Sequence, residues 1–200
     1  MQTPPGIPDY ELVSLASQGD EDAFRALVDR YKDYVYHLCV RVSGSRSDGE
    51  DLAQECFIKL YKNLGRYRKE HKLSNWLYTI ALNDCRKLLR RRRIVRFFSL
   101  DASPGEEGPR PQVVDLAMDP GQQLDNSQLG QRLAVAVSQL PQDLRAVFVM
   151  RHEMGEEFSA IAAALGKKPE HIRVLLFRAR QRLQEILGPV IEGELRDKEG

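Results

Sequence analysis

Basic side chains are the groups whose spacing is most unusual in this sequence. Seven basic residues and no acidic residue lie between positions 86 and 96: Arg86, Lys87, Arg90, Arg91, Arg92, Arg93 and Arg96. Like charges crowded at one helix end repel one another, so a polyanion is expected to neutralise them.

Aromatic and basic residues are mixed just before this cluster. The residues are Tyr67, Arg68, Lys69, Lys72, Trp76 and Tyr78. Aromatic rings beside cations suit unpaired bases, because every base offers a face on which a ring can stack. The alternative is that Trp76 and Tyr78 belong to the hydrophobic core.

The C-terminal part predicts a helix-turn-helix. A short helix from about Phe158 to Leu165 is followed by Gly166 and by a longer helix that Pro169 opens. On a helical wheel one face of the longer helix is apolar: Ile172, Leu176, Ala179 and Leu183. The opposite face carries Val174, Phe177, Arg178 and Gln181. Such a face suits the major groove of DNA, where arginine reads guanine, glutamine reads adenine and apolar groups contact thymine methyls. The alternative is an ordinary basic surface facing water.

Catalytic and metal-binding patterns are missing from the sequence. His152-Glu153 lacks the second histidine of a zinc-protease motif, and no glycine-rich phosphate loop occurs. We therefore expect no enzyme, no cofactor and no metal. Three scattered cysteines, Cys39, Cys56 and Cys85, indicate buried thiols in a reducing compartment. No membrane span or signal peptide is predicted, which favours a cytoplasmic protein that does not insert into the membrane.

Periodic apolar residues predict an all-α fold of two small helical domains. The first contains helices from about Asp9 to Gln18, from Asp20 to Ser43, from about Ser47 to Leu64 and from Ser74 onward. Gly65 is predicted to end the third helix in the left-handed conformation. The last helix of the second domain is predicted to end near Leu187.

A flexible linker is predicted between the domains. Residues 99–128 contain four prolines, three glycines and a net charge of −5, whereas residues 1–98 carry +5. The predicted boundaries are 1–98 for the first domain, 99–128 for the acidic linker, 129–188 for the helix-turn-helix domain and 189–200 for a polar tail.

Three sequence motifs, in order, resemble bacterial RNA polymerase sigma factors of the extracytoplasmic-function (ECF) type. The first is Asp51-Leu-Ala-Gln-Glu-Cys-Phe57, and the second is Ser74-Asn-Trp-Leu-Tyr-Thr-Ile-Ala-Leu-Asn83. The third combines Leu140-Pro141, Ile161-Ala162 and Phe177-Arg-Ala-Arg-Gln-Arg-Leu183. The resemblance covers about residues 20–93 and 129–187.

The resemblance implies three sets of binding residues. Core polymerase would contact Asp51, Leu52, Gln54, Glu55 and Phe57. The opened −10 promoter element would contact Arg66, Arg68, Lys72, Ser74, Asn75, Trp76, Tyr78, Asn83, Arg86, Lys87 and Arg90. The −35 element would contact His171, Arg173, Val174, Phe177, Arg178, Gln181 and Arg182. Val174 and Leu175 stand where many relatives carry a small polar residue and an arginine, so the −35 sequence preference is not carried over.

The same resemblance implies the partners. They are core RNA polymerase, through its β′ coiled coil and β flap, promoter DNA in duplex and single-stranded form, and an anti-sigma factor. The expected function is promoter recognition, melting of the −10 region and initiation of a stress or signal regulon. The alternative is a helix-turn-helix regulator that does not engage core polymerase. Stacking aromatics in the first domain favour the sigma factor, since a duplex binder does not need them.

Overall fold

The fold consists of two helical bundles. The structure, a computed structural model, describes residues 6–99 and 128–198, with side chains at 6–95 and 130–188. The N-terminal bundle contains α1 (Asp9–Ser17), α2 (Glu21–Ser43), α3 (Arg46–Lys62), a 3-10 turn (Leu64–Arg66) and α4 (Leu73–Ser99). The C-terminal bundle contains α5 (Gln128–Ser138), α6 (Gln142–Phe148), a π turn (Val149–Glu153), α7 (Phe158–Leu165) and α8 (Pro169–Lys198).

Local side-chain chemistry explains the ends of α2 and α3. The Asp20 carboxylate accepts a hydrogen bond from the Ala23 amide at 3.0 Å, which caps the first turn of α2. Gly44 ends α2 in the left-handed conformation, with φ of 75°, where a Cβ would be strained. Ser45 then caps α3 by accepting from the Asp48 amide at 3.3 Å.

Three predicted helix boundaries are wrong. Gly65 does not cap α3, because Asn63 occupies that position with φ of −124° and Gly65 lies inside the 3-10 turn. Ser74 was predicted as the start of α4, but the helix begins at Leu73. α8 continues through the predicted end near Leu187 to Lys198. The predicted linker lies outside the described residues, except that Ser99 and Gln128 belong to α4 and α5.

The core of the N-terminal bundle lies where α2 packs against α3 and α4. Large apolar side chains there are fully buried: Leu27, Val35, Leu38, Leu60, Leu77 and Leu82. Burial of each such side chain stabilises the fold by about 2 kcal/mol relative to exposure. Gly49 brings α3 very close to α2, since a Cβ placed on it would lie 2.8 Å from the Val40 Cα atom.

The two bundles pack against each other. Buried residues of both bundles form one continuous hydrophobic cluster, and α4 lies along α7. Arg145 of the C-terminal bundle donates to the Val42 carbonyl at the end of α2, at 3.0 Å. A cation is favourable at this position, because the carbonyl end of a helix carries partial negative charge. The same guanidinium also donates to the Ser138 and Leu140 carbonyls at the end of α5.

Polar side chains complete the contact between the bundles. Glu153 accepts from Arg41 Nε at 2.6 Å and lies 3.0 Å from His37 Nε2. Tyr78 on α4 donates to Glu156 Oε1 at 3.0 Å. The arrangement is therefore held by charged and polar pairs as well as by apolar burial. No helix in the described parts of the chain combines the length and apolar character that a membrane crossing needs.

Candidate polymerase and promoter DNA interfaces

One face of α3 is open to solvent and carries part of the predicted polymerase-binding set. Asp51, Gln54 and Glu55 are exposed on it. Leu52 is buried and Phe57 is half-buried against the core, so these two side chains hold the helix in place rather than face a partner. The predicted set thus divides into three surface residues and two supporting ones.

Two apolar residues extend this face and were not predicted from the sequence. Ile58 is 40% exposed and Tyr61 is 52% exposed, and both follow Gln54 at helical spacing. The Tyr61 ring contacts Phe24 edge to face, with ring centroids 4.9 Å apart. Exposed apolar residues beside acidic ones are typical of a protein contact surface. Their spacing relative to Gln54 was the signal in the sequence that could have identified them.

An ion-pair network joins this face to α4. Lys59 Nζ lies 2.7 and 2.8 Å from the two oxygens of the buried Asp84 carboxylate and 3.3 Å from Glu55. Partial burial acts to lower the pKa of Lys59, but the hydrogen bonds that Lys59 donates to the Asp84 and Glu55 carboxylates, together with their negative charges, raise it overall. Lys59 therefore stays charged at neutral pH and fixes α3 relative to the helix that carries the predicted −10 residues.

The segment that leads into α4 presents three exposed cations beside a stacked aromatic pair. Arg66, Arg68 and Lys72 are exposed. Tyr67 and Trp76 stack with ring centroids 6.1 Å apart and an interplanar angle of 19°. Burial raises the pKa of Tyr67, as do the charges of Asp9 and Glu70. Both rings are half-buried, so part of each ring packs against the core and part of it is accessible at the surface.

The half-buried residues at the start of α4 include one unpaired polar atom. Ser74 and Asn75 are half-buried, and Asn75 Oδ1 is buried with no hydrogen-bond partner among the described residues. A buried acceptor without a donor is unfavourable by about 1–3 kcal/mol. The Asn75 oxygen is thus able to accept a hydrogen bond from an incoming group after a small movement.

A basic stripe runs along the exposed side of α4. Asn83, Lys87 and Arg90 follow one another at spacings of four and three and are all exposed. Arg86 is half-buried and donates to Asn83 Oδ1 at 3.2 Å. These four residues of the predicted −10 set therefore share one face of α4.

Tyr78 is separated from that stripe. It is 2% exposed, and its hydroxyl is bound to Glu156 of the other bundle. Burial raises the pKa of Tyr78 well above its ordinary value, as do the charge and hydrogen bond of Glu156. In this arrangement Tyr78 does not face solvent, and its surroundings are those expected if Tyr78 belongs to the hydrophobic core.

The second bundle has the geometry of a helix-turn-helix. α7 ends at Gly166, which has φ of 63°, and α8 begins at Pro169. The four residues of the predicted apolar face are buried, and Leu175 joins them at 7% exposure. The predicted −35 residues are all exposed: His171, Arg173, Val174, Phe177, Arg178, Gln181 and Arg182.

Two of these arginines already have intramolecular contacts. The Arg173 guanidinium lies over the Phe158 ring, 5.6 Å from its centroid, and so is positioned by α7. Arg182 forms an exposed ion pair with Glu185 at 2.6 Å. Phe177 is 60% exposed and Val174 is 48% exposed, which leaves an apolar patch in the middle of a basic face.

Comparison with known proteins places this two-bundle, DNA-binding architecture among transcription initiation factors. Residues 27–94 match the family described as Sigma-70 region 2, and residues 130–183 match Sigma-70, region 4. The ECF RNA polymerase sigma-E factor of Haemophilus influenzae is 31% identical over 189 residues, which cover 92% of this chain and 98% of that protein. The chain belongs to the ECF family of RNA polymerase sigma factors.

Further relatives agree with this assignment. The ECF RNA polymerase sigma-E factor of Escherichia coli strain K12 is 30% identical and covers 92% of this chain and 97% of its own length. A solved complex of the sigma factor RpoE with the anti-sigma factor NepR, from Bartonella quintana, matches with a TM-score of 0.64 and 25% identity. The matched part covers 82% of this chain and 96% of the RpoE chain. From here the N-terminal bundle is called region 2 and the C-terminal bundle region 4.

Proposed function

We propose that this sigma factor divides its work between three surfaces of the two regions. The exposed face of α3 binds core polymerase, the loop before α4 with the α4 stripe binds the opened −10 element, and the exposed face of α8 binds the −35 element. The observation that supports this division is the exposure of the predicted residues, since most residues of each set are open to solvent.

Charge and aromatic content support the −10 assignment. The loop and stripe carry exposed cations, and the half-buried Tyr67–Trp76 stack lies next to them. Cations bind the phosphates of a single strand, and rings stack with its bases. A binder of closed duplex needs only the first of these features. The alternative regulator without polymerase binding leaves both the aromatic stack and the apolar residues on α3 unused.

On α8, the apolar patch supports sequence reading rather than simple attraction to phosphate. Arg178 and Gln181 provide donors and acceptors for base edges. Val174 and Phe177 are exposed on the same face and are suited to contact thymine methyl groups. A face that bound only phosphate would have no reason to expose two large apolar side chains.

Two further aspects belong to the proposal. The chain carries out no chemical reaction of its own, and it acts where promoter DNA and polymerase are found, in the cytoplasm. Because the similar RpoE was solved with an anti-sigma factor, we include an anti-sigma factor among the partners. The apolar patch on α8 and the apolar residues of α3 are surfaces that such a partner would cover.

Run-off transcription with purified core polymerase tests the proposal. We expect specific initiation from a promoter that carries both elements. Lys87→Ala and Arg90→Ala are expected to reduce open-complex formation, and Gln54→Ala to weaken association with core polymerase. Arg25→Ala serves as the control, because Arg25 is an exposed arginine on α2 outside all three surfaces. A chain that binds promoter duplex alone and leaves core polymerase inert would support the regulator instead.

A further inference from the structure

The contact between regions 2 and 4 contains a buried charge whose partners are both on the other region. Glu153, at the end of the π turn in region 4, has a side chain that is 6% exposed. It binds His37 and Arg41, which lie on α2 of region 2. The Arg41 side chain is 10% exposed, so both charges are removed from water by the packing of the two regions.

Further polar contacts surround this pair. Tyr78 binds Glu156, and Arg86 lies 3.5 Å from Asp143, so two residues of the proposed −10 set are held by region 4. Arg145 of region 4 donates to the Val42 carbonyl at the C-terminal end of α2. These contacts differ in strength. Arg86 and Asp143 are each about one third exposed and are screened by water, whereas the Arg41–Glu153 pair is not.

The size of a promoter does not fit this closed arrangement. Elements centred 35 and 10 base pairs before the start site are separated by about 25 base pairs, or roughly 85 Å at about 3.4 Å per base pair. Compact domains of these lengths have radii of gyration of about 11–12 Å, so the centres of two touching domains lie roughly 30 Å apart. Regions in contact cannot occupy both elements at once. The 28 residues that join α4 to α5 permit a wider separation, because an extended chain spans about 3.3 Å per residue.

We propose that the ion pair between Glu153 and Arg41, supported by His37, is a latch that holds the chain in a closed conformation. Promoter binding requires the latch to open. The inference rests on the proposed function only for its second part, since the closed conformation itself is a property of the free chain. Loss of one partner leaves the other as an uncompensated charge at the interface, which strongly disfavours closure.

Single-molecule energy transfer on the full chain measures the opening directly. Dyes are attached to cysteines introduced at Glu21 on α2 and Glu185 on α8, both exposed. The three native cysteines are fully buried and stay unlabelled. We expect high transfer efficiency in the parent chain. In Glu153→Gln the ratio of open to closed molecules is expected to rise by about 100-fold or more.

The matched control is Glu157→Gln. It is the same chemical change four residues away, on a side chain that is 79% exposed, and it should leave the transfer efficiency unchanged. Arg41→Gln breaks the latch from the region 2 side and should reproduce the effect of Glu153→Gln. The double exchange of Arg41→Glu with Glu153→Arg should restore part of the high transfer efficiency. Circular dichroism on each variant establishes that the helices are intact.

DNA binding separates the latch from the proposed function. We expect Glu153→Gln to bind a promoter duplex with both elements at least about 10-fold more tightly than the parent chain when core polymerase is absent. Low transfer efficiency in the parent chain would overturn the latch. Equal efficiencies in the parent and in both single variants with intact helices would overturn it as well. Absence of promoter binding in every variant, with or without core polymerase, would overturn the promoter assignment instead.

Discussion

Replacement of Gly49 by alanine should force α2 and α3 apart. A Cβ at position 49 would lie 2.3 Å from Val40 Cγ2, 2.8 Å from Val40 Cα and 2.9 Å from the Val40 amide nitrogen. Ordinary contacts between carbon atoms are about 3.5–4.0 Å, so the two helices must separate locally by about 1 Å. The Val40 side chain can rotate, but its backbone atoms cannot move without the helix.

The magnitude follows from two opposing effects. Overpacking of a tight interface is unfavourable by about 1–3 kcal/mol. Alanine is favoured over glycine inside a helix by about 1 kcal/mol, which offsets part of this loss. We therefore expect Gly49→Ala to lower the free energy of unfolding by about 1–2 kcal/mol. Because α3 carries the proposed polymerase face, binding to core polymerase should weaken as well.

Urea unfolding followed by circular dichroism measures the effect. Gly65→Ala is the control, since a Cβ at Gly65 meets nothing within 4 Å and that residue has no positive φ. It should change stability by less than about 0.5 kcal/mol. If Gly49→Ala were as stable as the parent chain, the close approach of α3 to α2 would not exist as described.

Three other predictions concern single groups. Substitution of deoxyuridine for thymine in the −35 element removes the 5-methyl group and should weaken binding of the parent chain in gel-shift assays. The same substitution should weaken binding of Val174→Ser by a smaller factor. Equal losses of affinity in the two chains would exclude recognition of the methyl group by Val174. Burial acts to raise the pKa of Glu153, but the hydrogen bonds that its carboxylate accepts from its two partners on α2, together with their charges, hold the pKa below its ordinary value of 4.5. Its contribution to closure is therefore complete above about pH 4.5 and lost as the pH falls further, so energy transfer between the regions should drop as the pH is lowered below that value. The three cysteines, Cys39, Cys56 and Cys85, should react with a thiol reagent only after denaturation, because all three are buried. Burial and the Asp84 charge also raise the pKa of Cys56 to about 12. Fast labelling of the native chain would contradict the buried position of these thiols.

Much of the fold follows from apolar spacing alone. The apolar residues of α2 and of the buried face of α8 repeat at three and four residues, and this spacing placed α2 and the start of α8 correctly. Helix ends were harder to predict. Gly65 has the residue type of a left-handed cap, but the chain turns two residues earlier, at Asn63. The glycine that ends α2, Gly44, adopts the left-handed conformation, and the sequence does not distinguish the two cases.

The candidate sites were predictable in their location and less so in their surroundings. Spacing on α8 placed Val174 and Phe177 on the exposed face, because a single helix fixes its own geometry. Tyr78 is different. Its exposure depends on whether region 4 covers it, and that contact joins residues 78 positions apart. The partners of Glu153 are more than 100 positions away. They could not be predicted from the sequence either, because pairing across such distances leaves no periodic signal.

The apolar cluster shared by regions 2 and 4 should keep the two regions together even when the chain between them is cut. Buried side chains from both halves interdigitate, so the covalent connection at residues 100–127 is not what holds the closed form together. A protease that severs this segment should leave both fragments eluting as one species on a sizing column, and denaturant should then release them. The cut chain should therefore keep its two regions together until the apolar packing between them is disrupted.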